Sequence, residues 1–158
     1  MKSWLSSLSE ETPLAVVTAS SVNALSFVRG LGRHGVPVVL LDSDRHVAVH
    51  SRYAKVVRLP GCRAEPDVWL EELASIGRLL KRPGVLLPTA DQHVRLLAEN
   101  RAAVAPYFTF PTLPSGLAAR LISKRFQAMH AERLGVPTPS TRAPASRAEA
   151  VQAAEELG

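Results

Sequence analysis

Cysteine is nearly absent from this sequence. Cys62 is the only one, so no internal disulfide can form and a disulfide-stapled secreted scaffold is excluded. A lone thiol fits a reducing, cytoplasmic setting, and its place in Pro60-Gly61-Cys62 is that of a turn thiol rather than a nucleophile. Aromatic residues are sparse: two Trp, two Tyr and four Phe are few for the stacking platforms of single-strand binders. No apolar run approaches the roughly 18 residues of a membrane span. The opening MKSWLSSLSEETP lacks the apolar centre of a signal peptide and carries two glutamates; it reads as a loose arm over residues 1–13.

Charge of one sign is also not concentrated. Lys and Arg outnumber Asp and Glu by 19 to 14, but the basic residues are scattered and no block of five or six forms. A solvated arginine-rich surface accounts for them, and nucleic acid is not an expected partner. Such a binder would show strongly salt-sensitive association.

What the chain has is a repeating alternation of apolar runs and helical stripes. Hydrophobic residues make up 46% of 158, enough to build a core without a staple. LAVVTA (14–19) and VPVVLL (36–41) are short apolar runs, as expected of strands buried on both faces. Between them Leu25, Val28 and Leu31 recur at helical spacing up to Gly35. That βαβ unit implies a parallel sheet. The pattern continues with a strand over 54–59, a helix opened by Pro66, and a strand over 85–87. A helix from Asp91 to about Val104 and a strand over 107–110 complete it. Residues 14–112 are therefore expected to form an open, doubly wound α/β domain. From Leu113 two short helices follow without strands, then a Pro-rich connector. Ser146 and Glu149 have the spacing of a capping box, and the helix they start has an apolar side that the connector cannot cover. The chain looks cut at Gly158.

The literal G-x-G-x-x-G at Gly30, Gly32 and Gly35 is not a dinucleotide fingerprint. Those glycines close the helix, where the dipole repels phosphate, instead of opening it. The strand-to-helix turn, Thr18-Ala-Ser-Ser-Val-Asn23, has no glycine but offers hydroxyls and an amide at the edge where such sheets bind ligands. Ser20, Ser21 and Asn23 are candidates there for a small polar or anionic ligand, with helix capping as the plain alternative. Asp42 and Asp91 end the second and fourth strands at the same edge. His46 and His50 beside Asp42 and Asp44 lack metal-ligand spacing. His34, His93 and His130 read as surface residues. Ser123 caps a helix anchored by Phe126, Met129 and Leu134, and Lys124 sits unfavourably in its first turn unless an anion lies nearby.

In order and spacing, SSVNALSFVRGLGRHGVPVVLLDSD (20–44), SRYAKVVRLP (51–60), VLLPTADQHVRLLAENR (85–101) and SKRFQAMHAERLGVPTPSTRAPASRAEAVQAAEELG (123–158) resemble the front of ATP-grasp enzymes. The likeness is to the carboxylate–amine ligase and carbamoyl-phosphate-synthase-like group. It implies that 14–112 is a Rossmann-like pre-ATP-grasp domain and that 113–158 is a linker into a truncated ATP-grasp domain. It implies that Lys124 contacts ATP phosphates, although the family commonly has Asp where Ser123 stands. It further implies ATP and Mg²⁺ as cofactors of a longer parent, carboxylate and amine substrates, and a missing C-terminal domain carrying the second lysine and the metal ligands. Ser20, Ser21, Asn23, Asp42 and Asp91 would line the substrate side. The fragment itself is expected to be inactive, with no catalytic or metal residue of its own; a homodimer stays open. The rival reading is a non-catalytic Rossmann-like module that binds a small metabolite or nucleotide.

Overall fold

The computed structural model describes residues 2–8, 11–19, 21–111 and 113–157. Five strands form one all-parallel sheet: β1 (Ala15–Thr18), β2 (Val38–Asp42), β3 (Lys55–Arg58), β4 (Gly84–Leu87) and β5 (Phe108–Thr109), in the order β3-β2-β1-β4-β5. β1 lies between β2 and β4, with Val16 opposite Val39 on one side and Leu86 on the other. Every residue of β1 and β2 is buried, which is why both read as unbroken apolar runs rather than alternating ones.

Alternate residues of those runs feed two separate cores. On one face Leu14, Val16, Val39, Leu41 and Leu86 pack with Trp69, Leu73 and Ile76 of α3 (Pro66–Gly77). Leu96 and Leu97 of α4 (Asp91–Glu99) and Val104 of α5 (Arg101–Val104) join them. On the other face Ala15, Val17, Val38 and Leu40 pack with Ala24 and Val28 of α2 (Ser21–Arg33). Ala48, from the single 3₁₀ turn Val47–His50 that crosses from β2 to β3, completes that face. The sheet is thus doubly wound, as the sequence predicts.

Three local details differ from the expectation. The N-terminal arm is not loose throughout: Lys2–Ser6 forms a short helix, α1, whose Leu5 is buried in the first core. The helix from Asp91 does not run through to Val104. It breaks at Asn100, whose backbone leaves helical geometry while its side-chain amide donates to the Leu96 carbonyl. The fifth strand shrinks to Phe108–Thr109, because only those residues pair with Gly84 and Val85.

Gly35 ends α2 in the left-handed conformation (φ +76°). Its N–H bonds the Gly32 carbonyl and that of Val36 bonds the Leu31 carbonyl, the paired closure of a Schellman motif. The glycine triplet therefore terminates a helix and has no contact with a strand-to-helix turn.

The chain divides into two compact units, Met1–Pro114 and Ser115–Gly158. The second holds α6 (Ser115–Ile122), α7 (Lys124–Arg133) and α8 (Arg147–Leu157). α7 and α8 bury no residue. Met129 and Leu134, expected as anchors, are 59% and 64% exposed. Gly135 closes α7 with the same bonding as Gly35, at φ +68°.

Candidate functional site

In this strand order the chain moves outward from β1 through β2 to β3, then returns to the other side of β1 for β4 and β5. The C-terminal ends of β1 and β4 are therefore the point where the order reverses, the place where open α/β sheets form a crevice. Thr18, fully buried at the end of β1, ties that point together. Its Oγ1 accepts the Thr89 N–H at 3.0 Å, and the Thr89 hydroxyl donates to the Thr18 carbonyl at 2.6 Å.

The Thr18 Oγ1 also meets His93 Nδ1 at 2.9 Å. His93 is 5% exposed and stacks on Trp69, with ring centroids 5.6 Å apart. This corrects its reading as a surface residue. His93 shares an i, i+3, i+4 stripe with Leu96 and Leu97, and that stripe is the core face of α4. Burial, and secondarily the nearby His46, lower its pKa to about 4, so the imidazole is neutral near pH 7.

Above this latch lies an open cleft of about 390 Å³. Asn23, Ser26 and Phe27 of α2 form one wall, and the turn Pro88–Asp91 with Val94 forms the other. Two expected site residues, Asn23 and Asp91, thus share one cleft. Asp91 is the first residue of α4, after Ala90 at the N-cap, where the helix dipole favours its charge. Ser21 is the first residue of α2. Ser20 lies outside the described residues.

Asp42 is placed differently. It is 2% exposed at the end of β2, and its carboxylate is turned inward. Oδ2 accepts the Arg45 N–H at 2.8 Å and pairs with Arg58. Oδ1 accepts the His46 N–H at 3.0 Å and meets His46 Nδ1 at 2.8 Å. The carboxylate organises its own loop and is not among the lining residues of the Asn23–Asp91 cleft. Sequence pattern alone offered Asp42 as a ligand group because it shows the strand end and not the direction of the side chain.

Lys124 opens α7, where the Ser123 hydroxyl accepts the Phe126 N–H at 3.3 Å. The lysine is exposed, and its Nζ donates to Gln127 Oε1 at 3.2 Å. A groove of about 360 Å³ runs between α7 and the connector, but Lys124 is not among its lining residues. Phe126 lies between Arg120, 4.3 Å from its ring centroid, and the stacked ring of His130. Cys62 is buried in the first core and its thiol is pushed up by desolvation, which makes it a poor nucleophile.

Among the described residues no group of three or more His, Cys, Asp or Glu could hold a metal ion. No helix among them is long and apolar enough to cross a membrane. No family model matches the chain, and no curated protein matches it.

Proposed function

We propose that the chain is the front portion of an ATP-grasp ligase, whose full protein activates a carboxylate with Mg-ATP for attack by an amine. The observation that carries the reading is the cleft at the β1–β4 reversal, which joins Asn23 to Asp91. It is a polar small-molecule site at the sheet edge where a pre-ATP-grasp domain holds its acceptor. Lys124 supports the nucleotide half: it is an exposed cation in the first turn of a helix, against the dipole, with one neutral side-chain partner. An anionic phosphate beside that turn relieves the misfit.

The described residues do not fit Mg²⁺, since no cluster of three acidic, His or Cys side chains exists among them. No step is therefore routed through the metal. Phosphoryl transfer needs metal ions and several cations about the phosphates, and Lys124 supplies one. The 158-residue chain is accordingly expected to bind Mg-ATP no better than millimolar and to turn nothing over. In a protein extended beyond Gly158, Lys124→Ala should weaken Mg-ATP binding or turnover at least tenfold. Micromolar binding by the 158-residue chain, or an indifferent Lys124→Ala, would refute the reading.

A second reading has its own support: the cleft lies wholly within the unit Met1–Pro114. A stand-alone metabolite-binding module needs nothing more. It predicts that residues 1–114 alone are thermally stabilised by a ligand that the full chain also binds.

A further inference from the structure

We propose that His46 is a proton-accepting base, held by the buried Asp42 carboxylate, and that the group it deprotonates is a protonated amine. The amine part rests on the ligase reading; the base itself does not.

The argument starts from the inventory of Asp42. An ionised carboxylate only accepts hydrogen bonds, and Asp42, paired with Arg58, is ionised. His46 Nδ1, 2.8 Å from Oδ1, must therefore carry its proton toward the carboxylate. That fixes the tautomer and leaves Nε2 as a bare acceptor. The carboxylate side chain is fully buried whereas the imidazole is 27% exposed, so the free nitrogen is on the half of the pair that solvent reaches. A buried acid orienting a partly exposed imidazole is the arrangement by which bases are preorganised in unrelated enzymes.

Holding the loop does not require the imidazole. The Arg45 and His46 amides and the Arg58 guanidinium already satisfy the carboxylate. The turn nonetheless holds Arg45, a non-glycine, at φ +55°. That conformation costs on the order of 1 kcal/mol, and it brings His46 back over Asp42. The groups facing His46 are Asp42, with its partner Arg58, and His93 of α4. His93 is close enough that a charge on His46 disfavours its own protonation. The base therefore sits at the rim of the β1–β4 reversal, on the helix side that begins with Asp91.

The step balances simply. An ammonium N–H proton passes to Nε2, the N–H bond breaks, and its electron pair becomes the lone pair that attacks. The resulting imidazolium keeps its Nδ1–H on the Asp42 carboxylate, between that negative charge and solvent. In this role His46 touches substrate, and Asp42 is a positioning residue.

Three measurements on the 158-residue chain test the proposal. Imidazole nitrogen NMR at pH 8 should show His46 as the Nδ1–H tautomer; Nε2–H overturns it. Diethylpyrocarbonate at pH 7, read residue by residue by mass spectrometry, should modify His46 several-fold faster than the exposed His34. Asp42→Asn should bring it down to the His34 rate, and equal rates in the parent chain overturn the base. His46→Asn retains an N–H for Oδ1 and removes Nε2. It should melt within a few degrees of the parent, whereas a large drop makes His46 a structural residue and overturns the assignment. n-Butylammonium, titrated to tens of millimolar, should shift the His46 ring signals saturably while butyrate does not. Butyrate acting alike, or no shift, overturns the amine. A failed Lys124 test leaves the tautomer and reactivity results untouched, so the two failures are distinguishable.

Discussion

His93 sets the pH response at the residue scale. Its pKa falls from the ordinary 6.5 to about 4, through burial first and His46 second. The unfolded chain therefore takes up a proton between those values that the folded chain refuses. Stability is full above pH 6.5, declines as pH falls toward 4, and loses no more to this group below that. The loss over the window is on the order of 3 kcal/mol. Chemical denaturation at pH 7, 5.5 and 4 should show it. His93→Gln, which retains a partner for Thr18, should lower stability at pH 7 and flatten the slope. An unchanged slope would mean that His93 is charged in the folded protein. The i, i+3, i+4 stripe with Leu96 and Leu97 was legible in the sequence, and it marks the position as inward-facing. The Trp69 stack and the Thr18 bond were not, since they join residues from three elements.

α2 provides a paired test at the element scale. Alanine at Gly30 meets nothing within 4 Å, so only helix propensity acts, and Gly30→Ala should stabilise by about 0.5–1 kcal/mol. Alanine at Gly32, two residues on, would overlap the Tyr53 Cβ and ring. The obstruction begins at a Cβ and so cannot swing away like a flexible tip. Overpacking of about 1–3 kcal/mol outweighs the propensity gain, and Gly32→Ala should destabilise. Thermal melts of both variants check the opposite signs; two stabilised variants would mean that Tyr53 does not pack there. The helix ends were readable in advance. Gly35 and Gly135 adopt left-handed φ as their positions require, and Ser146 accepts the Glu149 N–H at 3.2 Å. Glu149 reaches back one residue further than expected, to the Ala145 N–H at 2.8 Å.

For the whole molecule, the question is where the stability resides. Both core clusters, including Leu5 of α1, lie within Met1–Pro114, whereas α7 and α8 bury no residue. Residues 1–114 expressed alone should therefore unfold cooperatively, with a midpoint within a few degrees of the full chain. Loss of a cooperative transition would place essential packing in 115–158. Val151 is 53% exposed on α8. Expectations about the cut C-terminus and the nucleotide site thus concern groups that the unit Met1–Pro114 does not hold.

The sequence by itself determined the strands, the parallel sheet and the helix stops. These follow from local periodicity and backbone chemistry, and each is written in a few neighbouring residues. The cleft residues Asn23 and Asp91 were also legible as positions at strand ends. Only the tertiary structure decided that those two face each other, that Asp42 turns inward to hold His46, and that His93 is buried and neutral. Each of these depends on which strands lie side by side and which way a side chain points. Residues tens of positions apart settle that by sharing one interior.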